Sequence, residues 1–406
     1  MTAPLLLDLS HTCHTRARTG IQRVTRSLLG ALGGRAVAIT HDPHRAGWRT
    51  LQAWERANLV ASDAGTKRGA HWPLVARLRG HLRRATQRGS ALSPQLSALS
   101  SAGLIVPEVF SATVAQALPP IFAATRGPRV ALFHDAIALK FPELTPTKTV
   151  ARFPGYLAEL LAFDGIAAVS EDSRASLVDY WRWLGVTNPP PVRAIPLGVE
   201  VAVSSGTPPS ALPASPSFTG HGGSQPPTIL SVGSIEGRKN HLALLEACER
   251  LWADGEKFSL HLIGLAHPQT GAAAVARIRA LQAAGRPLRY DGPVGDDAVT
   301  AAYAACTFTV YPSLIEGFGL PVIESLSHGK PCICSARGAL GESAAGGGCI
   351  ALDAVDATSL SATIARLLHS PAEIATLATQ ARARRFKTWH DYAEQLADWI
   401  TGLPRR

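Results

Sequence analysis

No stretch of this 406-residue chain is apolar over the roughly 18 residues that a membrane-spanning helix requires. The best candidate, residues 101–125, contains Glu108 and is interrupted by Pro107, Pro119 and Pro120, so a spanning helix is not expected. The first residues, MTAPLLLDLSHT, lack a basic lead-in and place Asp8 inside the apolar stretch. They read as a buried first strand and not a signal peptide, which makes the cytoplasm the expected location. Cysteine is scarce and scattered: Cys13, Cys248, Cys306, Cys332, Cys334 and Cys349. Cys332 and Cys334 share one face of a strand-like run, PCICS, but two thiols with no second pair make no zinc site, and buried reduced thiols are expected. Charged residues are only 17% against 46% hydrophobic, which excludes a disordered or fibrous chain and fits a globular enzyme with large buried sheets. A chain of this length is expected to form two domains.

The charge that is present is unbalanced, 40 Lys and Arg against 30 Asp and Glu, for a formal net charge of +10. Such an excess can serve nucleic acid, anionic lipid or a phosphorylated substrate. Its densest run is TKRGAHWPLVARLRGHLRRATQR, residues 66–88, where Arg77, Arg79, Arg83, Arg84 and Arg88 are interleaved with Trp72, Leu74, Val75, Leu78 and Leu82. That spacing suits a basic amphipathic helix lying on an anionic membrane surface, and it equally suits a solvated helix on an arginine-rich protein. No aromatic platform or reader motif accompanies it, so a nucleic-acid partner is not expected.

Strand-like runs alternate with helix-like ones. LLLDL (5–9), VALFHD (130–135) and GIAAVS (165–170) are each followed by a helical pattern. The alternation stops in residues 201–227, a Pro-, Ser- and Gly-rich linker, and resumes with TILSVG (228–233), FSLHLIG (258–264), LRYDG (288–292), FTVYPS (308–313) and PCICSA (331–336). This predicts an α/β protein of two doubly wound domains, 1–200 and 228–387, with a terminal helix in 388–406 packing back on the first. Ligands of such sheets lie at the carboxyl ends of the strands, and hence in a cleft between the domains.

The densest cluster of chemistry is YPSLIEGFGLPVIESLSHGKP, residues 311–331. Gly317 and Gly319 allow a sharp turn, Pro321 can open a helix and Gly329 can close it, so a glycine loop feeds a helix N-terminus suited to an anion. Glu316 and Glu324 need a different ligand, because carboxylates only accept hydrogen bonds and suit a vicinal diol. Eight residues apart, they span roughly 12 Å if wholly helical and could bracket a diphosphate carrying a sugar at each end. The plainer reading has Glu324 capping its own helix and Glu316 solvated in the loop.

The letters PS, EGFGLP, a glutamate in an apolar helix and GKP together resemble the glutamate–seven–glutamate signature of retaining glycosyltransferases of the GT-B fold, the large family numbered four. The resemblance extends over most of the chain and implies two Rossmann-like domains facing each other across a cleft. LSVGSIEGRKNH (230–241) is similar to the loop that grips the donor diphosphate, which assigns that role to Gly233, Arg238 and Lys239. A forked guanidinium and an ammonium there would neutralise the leaving group as its charge develops. LRYDGPVGDDAV (288–299) resembles the base-binding turn, near Pro293 and Val294.

Gly317, Phe318, Gly319 and Leu320 then belong to the donor loop, Glu316 to the donor sugar and Glu324 to the ribose diol. In the first domain RTGIQRVTRSLL (18–29) places Gly20 towards the diphosphate, ALFHDAIALKFPEL (131–144) places His134 beside the donor sugar, and AAVSEDSRASL (167–177) offers Ser170, Glu171 and Ser173 on the acceptor side. The resemblance implies transfer with retention, no metal and no cofactor beyond the nucleotide-sugar donor. Asp296 and Asp297 adjoin in the base-side turn and form no D-x-D pair beside the donor. TGIQRV is similar to bacterial enzymes of O-antigen or exopolysaccharide assembly, which suggests mannose or rhamnose moved to a glycan or lipid-linked acceptor. Two rivals remain: a sugar-nucleotide epimerase on the same fold, and a non-catalytic partner subunit of a synthase complex.

Overall fold

The computed structural model describes residues 3–61, 69–86, 91–97, 101–200 and 226–406. Most of the expected linker, 201–225, lies outside the described residues, as do Lys67, Arg68 and Arg88 of the basic run. The chain divides into two compact units, Met1–Lys140 with Thr147–Gly198 and Trp389–Arg406, and Phe141–Pro146 with Val199–Thr388.

The first unit is built on a seven-stranded sheet: β1 (Leu5–Asp8), β2 (Ala36–Asp42), β3 (Gly47–Thr50), β4 (Gly103–Val106), β5 (Arg129–Phe133), β6 (Gly165–Ala168) and β7 (Val192–Ala194). Their order is β3-β2-β1-β4-β5-β6-β7, parallel throughout except for β3 against β2. LLLD, GLIV and GIAA are buried along their whole length, as parallel strands covered on both faces must be. Leu104, Val106, Phe133, Tyr156, Phe163 and Trp181 form the core between sheet and helices. The helix Trp389–Thr401 belongs to this unit and packs on the helix Gly20–Leu32 through a face that includes buried Tyr392, Ala393, Leu396 and Ile400. Beyond it, the Arg406 backbone N–H donates to Asp164 Oδ1 at 2.6 Å, and Arg129 pairs with the same carboxylate.

The second unit holds β8 (Thr228–Val232), β9 (Ser259–Ile263), β10 (Leu288–Tyr290), β11 (Phe308–Tyr311), β12 (Cys332–Ser335) and β13 (Cys349–Leu352), in the order β10-β9-β8-β11-β12-β13. All its pairings are parallel. The chain winds outward from β8 in one direction and then from β11 in the other, so the β8 and β11 loops flank the switch point where such sheets bind ligands. One boundary differs from the sequence expectation: residues 141–146 group with the second unit although they fall within 1–200. The reason is packing, since Leu144 lies where a Cβ on Gly237 would meet it at 3.6 Å.

Candidate functional site

After β8 the chain makes a tight turn over Gly237–Lys239 and enters the helix His241–Ala253 through Asn240, which is left-handed at φ +56°. Asparagine tolerates that conformation, and its side-chain amide donates to Val355 O at 2.7 Å, which holds the turn in place. The turn buries Lys239 at the end of β8. After β11 the loop reaches Gly319, left-handed at φ +97°, which precedes the helix Leu320–Ser327 with Pro321 in its first turn. The positive φ favours glycine there, and a Cβ would also press on the Leu340 side chain at 2.9 Å.

Because β8 and β11 are neighbours, these two loops meet. Glu316 accepts from Arg238 Nη1 at 2.7 Å and from Lys239 Nζ at 2.6 Å. Lys239 also donates to the Tyr311 hydroxyl and lies over that ring, and Tyr311 donates to Glu316 Oε1 at 3.0 Å. Arg238 is shared with Glu236 at 2.8 Å. Glu316, Lys239 and Tyr311 are all buried, so the solvated-loop reading of Glu316 does not hold. Burial pushes the Glu316 carboxyl up, but Arg238 and Lys239 outweigh it and hold the group at about 2. Burial lowers Lys239 more than Glu316 raises it, and burial followed by the Glu316 charge pushes Tyr311 up.

Glu324 stands on the helix Leu320–Ser327, half-buried, and accepts from the Tyr303 hydroxyl at 3.4 Å. It does not cap its own helix, whose cap is Gly319 with no side-chain bond. Val294 packs on a small cluster of Leu230, Ile263, Tyr303 and Cys306 in the turn before the helix Asp296–Ala305. Gly233 donates its N–H to Ile263 O at 2.8 Å. A Cβ on Gly264 would fall 1.9 Å from Gly233 O, so the β8 and β9 loops touch backbone to backbone. Two further residues near Lys239 were quoted in the sequence but given no role there. Tyr311 joins the ionic cluster, and His241 is buried with Nδ1 lacking a partner among the described residues. Burial, with the nearby Lys239 charge, lowers His241 to about 4.

In the first unit Gly20 opens its helix beside a capping box between Thr19 and Gln22 and is exposed, with open space where a Cβ would stand. His134 is buried after β5 and donates from Nε2 to Pro107 O at 2.7 Å, and burial lowers its pKa. Ser173 donates to His134 O at 2.8 Å, while Ser170 caps the helix Glu171–Trp183 by accepting from Ser173 N–H. These three residues therefore come together. Glu171 instead is exposed on the helix surface, where Arg174 Nε donates to it at 2.5 Å.

Sequence reasoning missed the carboxylates at the switch point of this sheet, between β1 and β4. Glu108 accepts the N–H groups of His11 and Thr12 at 2.9 Å each, and also the Thr12 hydroxyl. Asp8 is buried, accepts the Ser10 hydroxyl at 2.5 Å, and is pushed up to about 7 by burial and by Glu108. The signal was an acidic residue inside each of two apolar strand runs. A carboxyl that binds its proton more tightly when folded withdraws stability as pH rises from its ordinary value near 4 to about 7. Chemical denaturation of the wild type is thus expected to show falling stability across that window, and Asp8→Asn should flatten it. An unchanged slope in the variant would assign the dependence to other groups.

Residues 220–384 match the family described as glycosyl transferases group 1. Over 82% of its length the chain is 26% identical to the serotype-specific mannosyltransferase WbdA of Escherichia coli, of which it covers 38%. Over 41% of its length it is 34% identical to O-antigen chain mannosyltransferase B of Escherichia coli, of which it covers 43%. The chain thus spans about two fifths of these two curated relatives. Among solved structures it is similar to sucrose-phosphate synthase from Thermosynechococcus elongatus, with a TM-score of 0.66, 18% identity and 98% of each chain covered. The fold is GT-B.

Proposed function

We propose, from the match of residues 220–384 to the group 1 glycosyl transferases, that this chain is a retaining, metal-independent mannosyltransferase acting in bacterial surface-polysaccharide synthesis. The observation that carries the reading is the cluster of half-buried Arg238 with buried Lys239 and Glu316 at the switch point between β8 and β11. Arg238 and Lys239 take the donor diphosphate and stabilise it as the leaving group gains charge, the work a divalent metal does elsewhere. Before donor binds, each cation is neutralised by a carboxylate, so the diphosphate enters by exchange with Glu236 and Glu316. Glu316 is then released to accept from donor-sugar hydroxyls, Glu324 takes the ribose diol, and the Gly317–Leu320 backbone closes around the phosphates. His134, with Ser170 and Ser173 beside it in the first unit, is assigned to the acceptor.

Thermal unfolding with GDP, UDP, ADP and dTDP, each with and without magnesium, tests the donor half. One nucleotide should raise the midpoint without metal, and Glu324→Ala should weaken the rise while leaving the ligand-free midpoint in place. Incubation of the matching nucleotide-mannose with a mannan acceptor should then give a product of unchanged anomeric configuration by NMR. No stabilisation by any nucleotide would favour a non-catalytic subunit, and product without acceptor would favour an epimerase.

The acceptor is proposed to be presented at an anionic membrane surface. In the helix Leu74–Thr86, Leu74, Val75, Leu78 and Leu82 are more than half exposed, while Ala76 and Gly80 on the opposite face are buried. Arg77 and Arg84 flank the apolar stripe on one side, Arg79 and Arg83 on the other. A cavity of about 370 Å³ beside this helix is lined by Asp42, Arg45, Gln52, Trp54, Arg79 and Arg83. Among the described residues no helix is long and apolar enough to cross a membrane, so contact would be peripheral. At about 1 kcal/mol per basic residue near an anionic surface, reversing Arg79, Arg83 and Arg84 to Glu should weaken binding to phosphatidylserine vesicles roughly 100-fold or more. Unchanged sedimentation with vesicles would remove the membrane from this reading.

A further inference from the structure

Beyond the donor cluster, the second unit gathers three thiols that the mechanism does not use. Cys332 and Cys334 alternate on β12 and so share a face. β13 runs parallel beside it in a register that sets Cys349 directly against Cys332. The sequence reading stopped at two thiols; the third comes from a strand 15 residues away that only sheet pairing brings alongside. All three sulfurs lie within 4.8 Å of one another. Three sulfurs held at about 2.3 Å around one cation stand roughly 4 Å apart, so little movement separates this arrangement from a coordination shell.

We propose that Cys332, Cys334 and Cys349 form a three-thiolate site for a soft, monovalent d10 cation, with Cu(I) as the metal to test. Thiolates select soft ions, and a closed zinc site would need a fourth ligand, whereas this cluster among the described residues holds three. Tyr311, Val322, Leu326, Leu340 and Ala344 pack around the cysteines and keep water from competing. The Arg384 guanidinium, fixed by Ser343 O at 3.1 Å and Gly347 O at 3.3 Å, lies close enough for its charge to act on Cys334 and Cys349. It offsets the negative charge that coordinated thiolates bring into an apolar surround. Cys332 and Cys334 are buried and Cys349 is half-buried, which gives the ion a way in. On binding, each coordinating thiol gives its proton to buffer and the copper keeps its oxidation state. The other candidate cluster, Cys13, His14 and Glu55, carries no such inference, because Glu55 is already bonded to His14 at 2.8 Å and to both Arg49 terminal nitrogens.

The test is an anaerobic titration of the reduced full chain with Cu(I) held as its bicinchoninate complex. The wild type should withdraw one equivalent from the indicator and gain a higher thermal midpoint. Cys349→Ser and Cys334→Ala should each lower the affinity at least about 100-fold, beyond what disturbing an outer-shell partner does. Cys248→Ala, which alters a buried thiol in another part of the core, should retain full binding. Far-UV circular dichroism of each variant separates lost binding from lost fold. The proposal fails if Cys248→Ala loses as much as Cys349→Ser, or if Zn(II) is held more tightly than Cu(I). It fails equally if the wild type withdraws no copper from the indicator.

Discussion

Glu316→Gln is expected to cost roughly 3 kcal/mol of folding stability and to lower kcat by about 10²–10³-fold. The side chain keeps its shape and loses its charge, so the variant isolates electrostatics from packing. Glu316 is the common acceptor of Arg238, Lys239 and Tyr311, and removing one partner of a buried ion pair leaves the other uncompensated. The range for such losses is about 3–5 kcal/mol. The lower end applies here because Arg238 keeps Glu236, and Lys239, already lowered by burial, can shed its proton. The pH dependence gives a second readout. A carboxyl held at about 2, below its ordinary 4.5, contributes stability that is fully present above 4.5 and is lost as pH falls towards 2. Urea denaturation at several acid pH values should therefore show a decline in the wild type that is reduced in Glu316→Gln. Normal turnover in a folded Glu316→Gln variant would mean that this carboxylate organises the loop and does not touch donor.

Lys239→Met should markedly weaken stabilisation by the donor nucleotide at concentrations that saturate the wild type. Methionine fills much of the space of the buried lysine stem without its charge, and Glu316 keeps the bonds from Arg238 and Tyr311. The fold should therefore survive, with the Glu316 pKa moving up as one of its two cations disappears. A charge-assisted hydrogen bond contributes about 1.5–3 kcal/mol, which corresponds to a loss of roughly 10–100-fold in affinity for the diphosphate from one contact alone. The losses should track the phosphate: binding of the nucleoside without phosphates should change little between wild type and variant. If nucleoside and nucleotide weakened together, Lys239 would be supporting the loop and the diphosphate grip would have to be assigned elsewhere. Measured side by side, the two variants distinguish a loss of turnover from a loss of binding.

Most of the fold was legible because its signals are local. The strand GIAA and the Leu5–Leu7 run of the first strand are apolar and buried, and the helices between strands follow a 3.6-residue period. The glycine-and-proline turn of 316–321 was also local: Gly319 takes the positive φ and Pro321 the first helical turn within six residues. Glu108 was read only as an interruption of an apolar run. Its role depends on His11 and Thr12, which lie 97 and 96 positions away in the chain. The grouping of 141–146 with the second unit depends in the same way on a distant residue, since Leu144 lies against Gly237.

By itself the sequence determined that the chain would be α/β, where eight of its strands would lie, and which segment would carry two glutamates around a glycine turn. Those features depend on residues within one or two helical turns or one strand of each other, where backbone conformation and apolar period decide. Only the tertiary structure decided that Glu316 is buried between Arg238 and Lys239, that Tyr311 completes the cluster, and that Cys349 stands against Cys332. Lys239 and Glu316 are 77 residues apart and meet because β8 and β11 are neighbours. Strand order is set by which helices can cover which faces of the whole sheet, a property of the packed chain that no short stretch of it contains.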